Sequence, residues 1–377
     1  MADGRVRRAK GHSRFTVLAQ RHFAMSWHLS LVLVTYRSSS AASAALASFR
    51  AEATALGLAS EVVIVDHSED ESELERLQAL APTRLIARPN AGYAAGVNAG
   101  ISLSSGRILL VANPDIVFGR GSLSVLLDAL QRGWDVVGPQ FGLAGWLLPP
   151  ADLQTPGELC QRWLAGRVPA FWRFQLRNEI TRWRTVWEAS EVVRVPTLSG
   201  ALLAFQREVF LRVGPWDEGF FLYFEETEWL RRAGDAGLRL GQVPMSLVEH
   251  SWGHAADPRA LGAVLLASRG RYFDRRFGLW GRLATSLPPI TERFGNLPRF
   301  DGVRSNHEGD VLWLLSPSLL GFPAAGRYSC GSPLEAIAAF HRTHNRPQTM
   351  SLHAVDTRTG LLLGSWRCEP EVQRRDT

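Results

Sequence analysis

Three cysteines, Cys160, Cys330 and Cys368, are all that this chain of 377 residues contains. They are too few and too scattered for a disulfide framework or a zinc site, and a reducing cytoplasm is their simplest compartment. No apolar run reaches the roughly 18 residues that a membrane-spanning helix needs. The N-terminal stretch is basic but lacks the continuous apolar core of a signal peptide, so residues 1–27 are expected to form a disordered basic arm. Lysine is nearly missing: Lys10 stands alone among 42 basic residues, and the others are arginine. DNA- and RNA-binding motifs are absent, which argues against a nucleic-acid partner.

What is present describes a globular chain. Hydrophobic residues make up 46% and charged residues 21%, enough to build a sizeable core under a polar surface. The net charge is +6. Arginine suits bidentate contacts to phosphate and carboxylate, and a basic surface suits an anionic membrane face or a polyphosphate substrate.

Strand and helix alternate from the first apolar run. LSLVLVT (29–35), EVVIVD (61–66), RLIAR (84–88) and RILLVAN (107–113) read as buried strands. Helical patterns at 40–57, 70–80 and 94–104 lie between them. Such alternation with short connections predicts an α/β fold with a parallel, doubly wound sheet. The pattern then changes. Residues 134–140 read as a strand and 141–190 as a variable insertion with some helix. Residues 192–205 read as one long strand bent near Ser199-Gly200. Short helices are expected at 206–213 and 225–237, then two short strands up to His250. Residues 257–277 form a basic amphipathic helix. From 300 to 377 a separate α/β appendage is expected, with strands at 310–316, 350–356 and 361–367 and a helix at 333–343.

The stretch RILLVANPDIVFG is the most informative. A β-branched strand stops at Asn113-Pro114-Asp115, three turn formers. If this is the carboxyl end of a parallel strand, Asp115 stands where open sheets bind ligands, and a carboxylate there can hold a divalent cation. Asp66 ends another strand, placed either to accept from a ribose or base or to cap a helix. RPNAGYAAGVNAG (88–100) offers small residues and open backbone N–H groups near a helix start, which suits a phosphate. The dinucleotide fingerprint would follow the first strand, where the chain reads TYRSSSAAS without glycine, so a nicotinamide or flavin domain is disfavoured. In WDEGFFLYFEETEW (216–229), carboxylates stand among aromatic side chains, a setting that raises a carboxyl pKa towards that of a general base. Acidic residues at a helix start also offset the dipole, and at least one of Glu225, Glu226 and Glu228 is expected to do only that. His250 and His254 follow a strand, and Gly253 makes a helical metal pair unfavourable there.

Together VTYRSS, VVIVDHSED, RPNAGYAAGVNAG, ANPD, the segment from Ser199 to Gly237 and EHSWGH resemble the family 2 inverting glycosyltransferases, especially the bacterial rhamnosyltransferase-like branch. The resemblance covers about residues 29–280. It implies a GT-A fold over 28–280, with a mixed, mostly parallel sheet flanked by helices. By position, Thr35, Arg37 and Asp66 would line the nucleoside pocket. Asn90, Gly92, Asn98 and Asn113 would lie along the rest of the nucleotide sugar. Asp115 and His250 would hold Mg2+ or Mn2+. Glu226, then Glu225, would be the catalytic base, in a run Glu225-Glu226-Thr227-Glu228 where the family usually has Glu-Asp-Xaa-Asp. Ser199, Gly200, Trp216 and Asp217 would face the acceptor.

The implied activity is transfer from a nucleoside-diphosphate sugar, such as dTDP-rhamnose, to a saccharide or lipid-linked glycan in cell-surface polysaccharide synthesis. The implied location is the cytoplasm, peripheral at the inner face of the plasma membrane. Two alternatives stand beside this. One is a degenerate protein of the same fold that binds glycan or nucleotide without turnover. The other is a sugar-nucleotide pyrophosphorylase, disfavoured because its Gly-rich loop after the first strand and its catalytic lysine are both missing.

Overall fold

The computed structural model describes residues 29–251, 258–288, 297–300, 311–318, 320–329, 332–343 and 349–369. The expected arm at 1–27, His254 and Cys330 lie outside them. The order begins β1 (Leu29–Thr35), α1 (Ser39–Ala55), β2 (Ser60–Asp66), α2 (Glu71–Ala79), β3 (Arg84–Ala87), α3 (Tyr93–Leu103) and β4 (Ile108–Ala112). Strands β3-β2-β1-β4 are neighbours, all parallel, with Leu31 opposite Val62 on one side and Leu110 on the other.

The sequence of β1 explains its central place. All seven residues are buried. Leu29, Leu31 and Leu33 pack with Leu46 and Phe49 of α1, while Val32 and Val34 pack with Ala94 and Val97 of α3 on the opposite face. Apolar side chains on both faces are what a strand covered on both sides requires. Helix α3 lies unusually close to it. A Cβ on Gly96 would stand 2.6 Å from Val34 Cγ1, and one on Gly100 would stand 2.4 Å from Val32 Cγ1. These two glycines therefore serve helix–sheet packing and not the phosphate contact expected of them.

The chain continues with β5 (Ile116–Phe118), α4 (Ser122–Gln131), β6 (Val136–Leu143), β7 (Trp146–Leu147), α5 (Pro156–Ala165), α6 (Pro169–Trp187), β8 (Val193–Arg194) and β9 (Leu202–Gln206). Next come α7 (Arg207–Val213), α8 (Glu225–Asp235), β10 (Leu240–His250) and α9 (Pro258–Thr285). The long strand expected over 192–205 is two pieces. Pro196 lacks the N–H that a strand interior needs, and residues 195–201 leave the sheet as a loop. The two strands expected before His250 are instead the single strand β10, whose register against β6 shifts between Val243 and Leu247, around Pro244.

Residues 141–190 hold more order than their weak periodicity suggests. Helix α5 starts with a reciprocal capping box between Thr155 and Glu158. Trp183 and Trp187 of α6 pack with Leu312, Leu314 and Phe322 from the far end of the chain. That end comprises β11 (Val311–Ser316), β12 (Ala325–Ser329), α10 (Leu334–Thr343), β13 (Met350–Asp356) and β14 (Leu362–Cys368). These strands continue the central sheet: β12 pairs with β7 through Gly326 and Leu147, giving the order β14-β13-β11-β12-β7-β6-β9-β4-β1-β2-β3. Beyond β4 the pairs are antiparallel, except for β6 with β10.

Candidate active site

The carboxyl ends of β1 and β4 open into a cleft of about 840 Å3, the place where open α/β sheets receive ligands. The end of β4 supplies Asn113 and Asp115. Asn113 N–H donates to Ala201 O at 2.9 Å, and Ser251 N–H donates to Asp115 O at 3.0 Å. Antiparallel pairing of β5 with β10 sets His250 opposite Ile116. His250 is thereby carried to Asp115, and its Nε2 lies 3.3 Å from Asp115 Oδ1. The Phe141 ring packs 5.5 Å from the imidazole.

A second wall comes from the turn before α3 and the loop before α8. Gly92 has φ +97°, and a Cβ there would stand 2.5 Å from Phe221 O. Tyr93 N–H donates to Phe221 O at 2.8 Å, and Gly92 N–H donates to Asn90 Oδ1 at 3.2 Å. The Gly92 and Tyr93 N–H groups at this helix start are thus engaged by the protein. Tyr93 hydroxyl is buried and has no hydrogen-bond partner among the described residues. Burial, then the charges of Glu225, Glu226 and Asp115, push its pKa up.

Helix α8 begins abruptly after Tyr223 and Phe224, both left-handed with φ 68° and 70°. This turn delivers Glu225 and Glu226 into the cleft. Glu225 is 4% exposed, and its Oε2 has no partner among the described residues. Glu226 Oε1 accepts from Thr227 Oγ1 at 3.2 Å. Burial and the neighbouring Glu226 charge hold Glu225 well above the usual carboxylate range, and burial raises Glu226 as well. A helix N-terminus favours a charged carboxylate. Here desolvation outweighs it, and the pair keeps a proton above the ordinary range. Glu228 behaves differently: it pairs with Arg232 at 2.9 Å, one turn along α8.

Residues 30–173 match the model of glycosyl transferase family 2. That stretch is similar to the glycosyl transferases of family 2. Over 186 residues the chain is 31% identical to the N-acetylglucosaminyl-diphospho-decaprenol L-rhamnosyltransferase of Mycobacterium tuberculosis, covering 46% of this chain and 57% of that protein. Over 188 residues it is 26% identical to the low-salt glycan biosynthesis hexosyltransferase Agl10 of Haloferax volcanii, covering 48% and 56%. The match thus spans little more than half the length of these relatives. Among solved structures, GalNAc-T7 with UDP, GalNAc and Mn2+ aligns with TM-score 0.50 at 17% identity, over 70% of this chain and 52% of that one. The fold is GT-A.

The cleft gathers most of the expected residues. Thr35, Asn90, Gly92, Asn113, Asp115, His250, Ser199, Gly200, Glu225 and Glu226 all line it. Five do not line it. Asp66 is 2% exposed and accepts from Thr35 Oγ1 at 2.9 Å and Ser68 Oγ at 2.6 Å, so it braces the strand end. Asp70, not Asp66, caps α2. Arg37 lies on the surface, with its guanidinium over the Tyr36 ring. Asn98 is bound to Trp216 and Glu218. Trp216 is buried against Trp229, and Asp217 pairs with Arg271 and Arg275.

The cleft also contains residues the motifs did not single out. His67 is 3% exposed. Its Nδ1 donates to Pro89 O at 2.9 Å, fixing the tautomer. Both His67 and Tyr93 sit inside motifs already recognised, so burial was the missing signal. Leu315, Phe340 and Met350 also reach the cleft, and nothing local in their sequence announces it. Among the described residues, no three His, Cys, Asp or Glu side chains group as a metal cage, and no helix is long and apolar enough to cross a membrane.

Proposed function

We propose that this chain is an inverting glycosyltransferase of cell-surface polysaccharide synthesis. It moves a sugar, rhamnose in the first instance, from a nucleoside diphosphate to a saccharide or lipid-linked acceptor. One observation carries the reading: a carboxyl pair, buried Glu225 and half-buried Glu226, shares a cleft with the Asp115–His250 pair. A single displacement needs a base on one face of the anomeric carbon and charge stabilisation on the other.

Glu226 is the base in this reading. It takes the proton from the acceptor hydroxyl, and the freed oxygen attacks opposite the leaving diphosphate. Glu225 retains the proton that the pair cannot release, so one carboxylate and one carboxylic acid face the acceptor. Thr35, Asn90 and Asn113 hold the nucleotide side.

Asp115 and His250 fit a Mg2+ or Mn2+ ion. They offer one carboxylate oxygen and one imidazole nitrogen, leaving the remaining positions to substrate phosphate and water, as is usual for Mg2+. When bound, such an ion would supply charge neutralisation for the leaving diphosphate. The relatives named above support sugar transfer in glycan synthesis, and the decaprenol-linked acceptor of the mycobacterial one favours peripheral action at the cytoplasmic face of the membrane.

The test is a panel of nucleotide sugars incubated with the protein, with and without Mn2+ or Mg2+, reading nucleoside diphosphate release. Metal-dependent release from one donor is the expected result. Donor binding without release, even with acceptor extracts, would favour a degenerate binder instead. Absence of both would overturn the reading.

A further inference from the structure

The cleft has two chemically different ends. One holds Asp115, His250, Glu225 and Glu226. The other is lined by Leu148, Leu315, Pro323, Ala324, Phe340 and Met350, none of them polar. Apart from Leu148, these residues come from β11, the loop before β12, α10 and β13, beyond the stretch that matches family 2. The pairing of Gly326 with Leu147 brings them there, and Gly326 is itself pinned, since a Cβ on it would stand 2.4 Å from the Trp187 ring.

From β4 to β7 the sheet crosses β9 and β6. At the usual spacing those three steps are about 14 Å. The apolar end therefore lies beyond the reacting centre, on the side away from β1 and the proposed nucleotide wall. A saccharide would need convergent polar groups in that place. An apolar cavity instead stays dry or takes an apolar ligand.

Helix α9 shows where such a ligand would leave. Leu261 and Val264 line the cleft. Leu265, one turn on from Leu261, is 42% exposed, and Leu266 beside it is 65% exposed. Helix α9 thus carries apolar side chains both inside the cleft and on its exposed surface.

We infer that the C-terminal strands and α9 form a subsite for the hydrocarbon chain of a lipid-linked acceptor. This rests on the transferase reading and narrows it, because it assigns the acceptor to the lipid-linked class. The saccharide headgroup lies between the carboxyl pair and the apolar end, and the chain passes over Leu261 and Val264.

The test uses a dansyl-labelled farnesyl diphosphate, titrated into the full-length protein without donor. Saturable binding is expected, weakened about tenfold by Leu261→Glu and by Val264→Glu, because a charge would then face the hydrocarbon. Both positions are only half-buried on α9, and circular dichroism checks that the fold is kept. Leu211→Glu, on an exposed residue outside the cleft, should bind as the parent does. Excess inorganic diphosphate should displace little of the probe. Non-saturable binding, equal affinity in all variants, or full displacement by diphosphate would each overturn the subsite. Donor turnover is read separately, so a failed transferase reading shows itself as silence in that assay while probe binding is judged on its own.

Discussion

A methyl group added to Gly200 would stand 2.7 Å from Cγ of Glu226 and 3.0 Å from its Cβ. The loop between β8 and β9 thus sets the position of the carboxylate proposed as base. Gly200→Ala is expected to push Glu226 aside and lower kcat about a hundredfold, the usual cost of an ångström's misplacement. The donor KM should hardly move. Steady-state kinetics on a variant with unchanged circular dichroism decides this; a kcat close to the parent's would show that Gly200 does not position the base.

The carboxyl pair predicts a pH effect. A base must be ionised, so kcat/KM should rise with pH through the raised pKa of the pair. Glu225→Gln keeps a neutral neighbour beside Glu226, as the retained proton does. The acidic limb should therefore stay where it is. A limb that moves to lower pH would mean that Glu225, not Glu226, ionises first in the pair.

The same variant has a stability consequence of definite sign. A folded pKa above the ordinary value of 4.5 means that the folded state holds the Glu225 proton more tightly than the unfolded chain does. That contribution is complete below the unfolded pKa and is lost as pH rises through the folded one. Glutamine cannot ionise. Glu225→Gln should therefore melt higher than the parent at about pH 8 and close to it at about pH 4. Thermal melts at the two values suffice, and a destabilised variant at the higher pH would contradict the buried-acid assignment.

Asp115→Asn should lower kcat by about 10²–10³ and demand more Mn2+ or Mg2+ for half-maximal rate, since the amide is a weaker cation ligand. His250→Gln should raise the metal requirement with a smaller loss in rate. Titrations of rate against metal concentration that superimpose on the parent's would remove both residues from the cation site.

Asn98 separates a structural role from a donor-binding one. Its Nδ2 donates to Trp216 O and Glu218 Oε1, each at 2.9 Å, while its Oδ1 accepts from Trp216 N–H at 2.9 Å. Asn98→Ala leaves that N–H without its partner and should cost about 1–3 kcal/mol in urea unfolding. Donor KM should be unchanged, and a raised donor KM with full stability would return Asn98 to the nucleotide site.

The route from sequence to site can be followed through particular residues. The β1, β2 and β4 runs were legible because strands covered on both faces are continuously apolar, and the turn formers Asn113-Pro114-Asp115 marked where β4 stops. Glu225 and Glu226 were legible because carboxylates among aromatic residues are chemically unusual. Asp66, Asn98, Trp216 and Asp217 carried the same polar or aromatic signals, yet folding commits their groups to Thr35, to one another's loop, to Trp229 and to Arg275. A sequence names a hydrogen-bonding group without saying whether its partner is protein or substrate.

The sequence by itself determined the alternating α/β pattern, the strand ends that open the cleft and the acidic start of α8, because each depends on local periodicity and turn chemistry. Only the tertiary structure decided that His250 meets Asp115, that Gly200 seats Glu226 and that β12 joins β7 to bring Phe340 and Met350 to the same cleft. Those contacts join residues far apart in the chain through strand pairing, whose partners are chosen by the packing of the whole sheet.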